Sequence, residues 1–332
     1  MQERHLLPNK IFSNNGNANL PLVIVNPKSA AGSTQSRWAN NASDLRAHFG
    51  AFSVAFTKKA GDGIELAKRG AASGRKFIIA CGGDGTINEV ANGILQTGED
   101  VELGIFPSGT GGDFRRTLGM PSGAREVAKS LREGDTKKID VGKVTFFDHQ
   151  NKQVSRYFLN VSSFGLSASI NERVKSTNFF KWLPGNTLSG KSNFAFSTLQ
   201  EVLETEFMTI RVKIDEQDEK TLNTINFCVA NARFFGGGMK IAPDAKINDG
   251  FFDVINIGDI KTAKILLNAY KLYNGSHLDL EEVKSTLAKR IEVSPFDKSQ
   301  AIFIETDGEL PGKLPAVYEI VPNALKIRVP KQ

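Results

Sequence analysis

Apolar positions in the first third of the chain come in short blocks separated by longer mixed stretches. Leu20-Pro-Leu-Val-Ile-Val25 is the pattern of a strand buried on both faces. Residues 33–49 follow as a predicted helix. Phe52, Val54 and Phe56 alternate as a second strand, residues 61–72 read as helical, and Phe77-Ile-Ile-Ala80 is a third strand. Ile87, Val90, Ala91, Ile94 and Leu95 recur at the spacing of one helix face. Residues 103–106 predict a fourth strand and residues 123–132 another helix. Strands alternating with helices of this length predict an α/β domain with a parallel sheet.

After Thr136 the rhythm shortens. Residues 157–161, 208–214, 222–230, 252–257, 290–293, 301–305 and 317–321 are strand-like runs with turn residues between them. Only residues 190–204 and 262–273 look helical. This pattern predicts a mainly antiparallel β-sandwich or barrel-like second domain. The expected division is a polar segment at residues 1–19, an α/β domain at 20–138 and a mainly-β domain at 139–332, whose last strand has the option of returning to the first domain.

Composition narrows the class. The chain has 332 residues, 40% hydrophobic and 23% charged, which excludes a disordered chain. No run of about 18 uncharged apolar residues offers a spanning helix, and the polar N-terminus lacks a secretory signal pattern. Cys81 and Cys228 lie far apart within apolar runs, so a disulfide scaffold is excluded and a cytoplasmic location is expected. The formal charge of +6 favours anionic partners. Nothing in the residue pattern beyond that charge supports nucleic acid.

Candidate chemistry gathers at the ends of the first four strands. Gly82-Gly-Asp-Gly-Thr-Ile-Asn-Glu89 joins the third strand to an amphipathic helix. Glycines let a backbone approach a ligand closely, and the helix that follows aims free N–H groups at the same spot, the makings of a phosphate site. Asp84 would repel phosphate directly; it suits a nucleotide-borne metal, a sugar hydroxyl or a helix cap, as Thr86 also does. Asn26-Pro-Lys-Ser29 follows the first strand, Thr57 the second, and Pro107-Ser-Gly-Thr-Gly-Gly-Asp113 the fourth. In a parallel sheet these ends share the ligand-binding edge. Neither the Walker nor the dinucleotide glycine spacing is present.

These loops, together with Asn160-Val-Ser-Ser-Phe-Gly165, Asn231-Ala-Arg-Phe-Phe-Gly-Gly-Gly-Met239, Asn248-Asp-Gly250 and Thr306-Asp-Gly-Glu309, resemble the diacylglycerol kinase catalytic domain family, nearest its soluble bacterial lipid kinases. The resemblance implies ATP as cofactor, held at Asn26, Pro27, Lys28, Ser29, Thr57, Gly82, Gly83, Asp84, Gly85, Thr86, Ile87, Asn88, Glu89, Ser108, Gly109 and Thr110. It implies a structural Mg²⁺ on the Asp249 carboxylate and the carbonyls of Lys246 and Phe251, a hard cation on oxygen ligands. It implies a proton acceptor in Asp307-Gly-Glu309: Glu309 first, Asp307 second, with Asp84 as rival. Two positions depart from the family's pattern, Ala30 where a glycine is usual and Gly112 where an asparagine is usual.

No histidine lies in a motif. Residues 173–196 lack acids and interleave lysines with Phe179, Phe180 and Trp182, a composition suited equally to a membrane interface and to a core with a solvated face. The expectation is a cytoplasmic lipid kinase, peripheral to an anionic membrane, that uses ATP and Mg²⁺ to phosphorylate diacylglycerol to phosphatidic acid. The alternatives are a sphingoid base or phosphatidylglycerol as acceptor, an NAD kinase, and a non-catalytic nucleotide-binding regulator. A homodimer remains open.

Overall fold

The computed structural model describes residues 19–108, 111–169 and 207–331. The chain divides into two units: one takes the residues up to Ile139 and those from Asn323 on, the other Asp140–Pro322.

The first unit is α/β. Strands β1 (Leu22–Val25), β2 (Ser53–Phe56), β3 (Phe77–Gly82) and β4 (Glu102–Pro107) alternate with helices α1 (Ser33–Phe49), α2 (Asp62–Ala72), α3 (Asp84–Leu95), α4 (Asp113–Thr117) and α5 (Ala124–Glu133). The sheet runs β2-β1-β3-β4, every pair parallel. Every residue of β1 is fully buried, because helices cover both sheet faces. Helix α3 begins at Asp84, earlier than its apolar face, so the polar loop residues form its first turn.

The second unit is built from β6 (Gln153–Phe158), β7 (Val161–Gly165), β8 (Met208–Ile214), β9 (Lys220–Thr224), β10 (Asn226–Ala230), β11 (Phe252–Ile257), β12 (Val283–Ala288), β13 (Arg290–Pro295) and β14 (Phe303–Thr306). Two longer strands, β5 (Asp135–Asp148) and β15 (Glu309–Val329), complete it. One path runs β12-β11-β10-β7-β14-β15; β15 also pairs with β13 and β5, which lead to β8-β9 and to β6. The pairs β5-β6, β7-β10, β7-β14, β8-β9, β8-β13, β10-β11, β11-β12, β13-β15 and β14-β15 are antiparallel. Between the layers lies a core that includes Phe146, Phe158, Phe164, Phe227, Phe252, Ile304 and Tyr318. Strand β10 is buried on both faces. Phe227 and Val229 enter this core, while Cys228 and Ala230 enter a second cluster on the opposite face with Ile241, Ala242 and Ile255.

Two runs expected to be single strands are each two. Residues 157–161 break at Leu159-Asn160, whose amides bond the Asp307 carboxylate instead of a neighbouring strand. Residues 222–230 break at Ile225, where the chain leaves β8 and joins β7 and β11. Both breaks lie inside buried backbone, so the apolar run continues across them. The helix expected at 262–273 is divided into Thr262–Asn268 and Lys271–Asn274. The helix expected at 190–204 lies outside the described residues.

Candidate active site

The register of the parallel sheet brings four strand ends level. Val25 is opposite both Phe56 and Cys81, and Gly82 is opposite Pro107. Asn26, Thr57, Gly82 and Ser108 therefore share one edge, tied by backbone bonds from Asn26 N to Cys81 O and from Ser108 N to Gly82 O. Side chains lock the loops together. Asn26 Nδ2 donates to Thr86 Oγ1 at 3.0 Å, and its Oδ1 accepts from Lys28 N at 3.0 Å. Ser29 Oγ lies 2.6 Å from Thr34 Oγ1, which lies 2.9 Å from Ser108 Oγ. Thr34, fully buried, was not singled out from sequence: a lone threonine in a helix carries no signal until the fold places it against two serines. Behind this cluster, burial pushes the Cys81 thiol up to about 12, partly offset by a hydrogen bond with Ser108.

Gly82 must lack a side chain, because a Cβ there would lie 2.5 Å from Thr86 Cβ. Gly83 then caps α3, whose first-turn amides are of the kind that helix N-termini offer to anions. Asp84 caps a different helix from its own. Its Oδ2 and Oδ1 accept from Asp113 N and Phe114 N, each at 3.2 Å, at the start of α4. Thr86 is no cap either, being engaged with Asn26. Gly112 precedes α4 with φ 64°, which accounts for glycine at that position. Ala30 and Ala31 also hold positive φ, 52° and 54°. Glu89 turns away from the glycine loop and accepts from Gly61 N at 2.8 Å and Gly63 N at 2.9 Å, closing the N-terminus of α2. Pro27, Gly85, Ile87 and Asn88 lie within the same loops, with Ile87 and Asn88 buried. Gly109 and Thr110 lie outside the described residues, as does the basic aromatic stretch 173–196.

In the second unit, β14 leads into Asp307-Gly308-Glu309. Asp307 holds φ 46°, and its carboxylate accepts three backbone N–H groups: Leu159 at 2.7 Å, Asn160 at 2.9 Å and Val161 at 3.2 Å. This occupies both oxygens and makes Asp307 the anchor of the turn. Glu309 is different: its side chain is 36% exposed and its Oε2 meets Arg156 Nη1 at 2.8 Å. Among the described residues no other hydrogen bond to its carboxylate is present. Beneath the turn, buried Glu305 accepts from Gly308 N and, at 2.7 Å, from Ser163 Oγ. Ser163 connects through Ser167 to Asn226. Arg156 and Glu305 were not predicted: the arginine sits in an ordinary strand and the glutamate at the end of an apolar run.

The Asn248-Asp-Gly turn is braced from β5, where Asp140 N donates to Ile247 O at 2.6 Å and Asp140 Oδ2 accepts from Gly250 N at 2.7 Å. Asp249 Oδ1 accepts from Phe251 N at 3.1 Å. Beside them, burial and the negative charges of Asp249 and Asp244 push the Asp253 carboxyl up to about 6. A hard cation fits this set of oxygens, since it would relieve the excess of negative charge. Among the described residues no group of three or more His, Cys, Asp or Glu has metal-binding geometry. A site there would therefore depend on the carbonyls of Lys246 and Phe251 beside Asp249.

The comparisons with known proteins agree with this architecture. Residues 21–144 match the family model described as the diacylglycerol kinase catalytic domain, and residues 160–329 match the YegS C-terminal NAD kinase beta sandwich-like domain. A diacylglycerol kinase of Staphylococcus epidermidis is 29% identical over 278 residues, covering 83% of this chain and 81% of that protein. A diacylglycerol kinase of Mycobacterium tuberculosis is 27% identical, covering 81% of this chain and 82% of its own. The crystal structure of a diacylglycerol kinase from Bacillus anthracis shares the fold, with a TM-score of 0.67 at 23% identity over 94% of this chain and 97% of that one. Among the described residues no helix is long and apolar enough to cross a membrane. Matched across both units, the chain belongs to the bacterial diacylglycerol kinase family and is a lipid kinase.

Proposed function

We propose that this lipid kinase transfers the γ-phosphate of ATP to the free hydroxyl of diacylglycerol, giving phosphatidic acid and ADP. The observation that carries the reading is the set of four level strand ends, interlocked through Asn26, Ser29, Thr34, Thr86 and Ser108, beside the N-terminus of α3. Backbone amides of residues 83–86 bind phosphate oxygens, with Asn26-Pro-Lys-Ser29, Thr57 and the 108–110 segment completing the nucleotide loops. Asp84 holds the loop before α4 in register with the glycine loop, so its part is positioning and not proton transfer. Mg²⁺, bound at Asp249 and the carbonyls of Lys246 and Phe251, would supply charge neutralisation that rigidifies the turn.

Glu309 accepts the hydroxyl proton as the lipid oxygen bonds to the γ-phosphorus and the bond to the β-phosphate oxygen breaks, releasing ADP. Arg156 holds the carboxylate in place through a charge-assisted contact at 2.8 Å. Asp307 builds the turn that presents it. The test is Glu309→Gln against Asp307→Asn, assayed with labelled ATP on a panel of diacylglycerol, sphingoid base and phosphatidylglycerol. Glu309→Gln should lower turnover about 10²–10⁴-fold with melting temperature and ATP affinity retained. Asp307→Asn should lower melting temperature and activity together, since one of its two acceptor oxygens becomes an NH2 donor facing a backbone N–H. Near-normal turnover in Glu309→Gln refutes its role as base; transfer to another lipid in preference to diacylglycerol refutes the substrate.

A further inference from the structure

One apolar face of the second unit points the wrong way for a core. Residues 262–274 follow one helical path: Thr262–Asn268 and Lys271–Asn274 are helical, and Ala269 and Tyr270 between them keep right-handed helical dihedrals. The path is fixed to the unit on its inner side. Leu272 packs against the cluster of Cys228, Ile241 and Ile255, and its carbonyl accepts from Lys240 N at 2.6 Å. On the outer side Ala263, Leu266, Leu267, Tyr270 and Tyr273 fall at i, i+3, i+4, i+7 and i+10, and all five are exposed. Leu267 is 75% and Tyr270 63% exposed, so this stripe is uncovered along its length among the described residues. A stripe with that spacing ordinarily faces a core.

Its polar surroundings carry one sign. Between Asp259 and Asp279 there is no acidic residue, and Lys261, Lys264 and Lys271 lie within the interval. Lys264 is paired with Glu282 at 2.6 Å, which leaves Lys261 and Lys271, with Lys240 beside Leu272, as flanking cations. Exposed leucine, two tyrosines and flanking lysines on one helical path form an interfacial helix, its rings at headgroup level and its lysines among anionic phosphates.

We infer that this face docks the protein on an anionic phospholipid bilayer. Charge decides between a bilayer and a second copy of the chain. Two copies meeting face to face would bring their lysines together, whereas anionic headgroups neutralise them. The inference rests on the lipid-kinase reading only for the reason such a surface exists, namely that the acceptor is held in a bilayer.

The full chain is tested by co-sedimentation with phosphatidylcholine vesicles and with phosphatidylserine-rich vesicles, at low and high salt. Leu267→Ser with Tyr270→Ser should weaken binding to the anionic vesicles at least about tenfold at both salt concentrations, since apolar insertion is not screened. Lys261→Gln with Lys271→Gln should weaken it several-fold at low salt and little at high salt. Both double variants should phosphorylate a short-chain, monomerically dispersed diacylglycerol as the unaltered protein does. The inference is overturned if neither pair changes vesicle binding. It is also overturned if the protein sediments as a dimer that Leu267→Ser with Tyr270→Ser dissociates, which assigns the face to a second copy. A protein that binds vesicles through this face but phosphorylates no lipid leaves the inference standing and removes the kinase reading instead.

Discussion

Ala30 and Ala31 hold a left-handed backbone at φ 52° and 54°, directly after Ser29 of the hydroxyl cluster. An L-residue pays about 1–2 kcal/mol for that conformation, because its Cβ crowds the following carbonyl. Glycine avoids the clash but loses more chain entropy on folding, by about 0.5–1 kcal/mol. Ala30→Gly should therefore stabilise the protein by about 0.5–1 kcal/mol, read as a rise in the urea midpoint at unchanged slope; a fall would mean that the loop relaxes to negative φ in solution. The sequence marked Ala30 and Gly112 as departures from the family's pattern, and the backbone explains them in opposite senses: Gly112 sits where glycine belongs, Ala30 where it is missing. The parts played by Asp307 and Asp84 were not legible in the same way. Each is an exposed-looking acid in a glycine turn, and only the fold shows whose amides it caps.

Among elements, α3 and β8 were readable because burial on one face imposes a period on them, and β1 because burial on both faces makes a continuous apolar run. Strand β12 was not: Lys284, Ser285, Thr286 and Leu287 are all exposed, so no alternation of buried apolar positions marks it. The turn at His277 was likewise silent, a lone histidine between Ser276 and Leu278. It is buried, and its Nε2 lies 3.0 Å from Ile241 O. A carbonyl only accepts, so Nε2 donates and, in the neutral ring, Nδ1 is the unprotonated nitrogen. Burial lowers its pKa below 6.5. The unfolded chain then takes up a proton near pH 6.5 while the folded one does not, so stability present above that value falls as pH drops through and below it. His277→Gln should flatten this loss. Urea midpoints at pH 7.5 and pH 5.5 measure it; an equal acid-side loss in both proteins would show that His277 is not its source.

At the scale of the molecule, β15 is the strand with two affiliations. Its first part pairs with β14 and β13, while Lys326 and Ile327 pair in parallel with Glu102 and Leu103 of β4. Arg328 Nε reaches Glu102 at 2.6 Å, and Leu325, Ile327 and Val329 are buried. Removing residues 325–332 would withdraw about 5–9 kcal/mol of apolar burial, comparable with the whole stability of a domain. The truncated chain should lose the helical circular dichroism of the first unit and become open to limited proteolysis before Ile139; intact protection would overturn this. The tail's pairing has a further consequence for how the protein is made. A ribosome delivers residues from the N-terminus onward, so β1 to β4 emerge well before the part of β15 that covers the β4 edge. Roughly 190 residues separate Ile139 from Val329, on the order of 10–40 s of synthesis. Through that interval the parallel sheet exposes an unpaired β4 edge, a template on which another chain could pair.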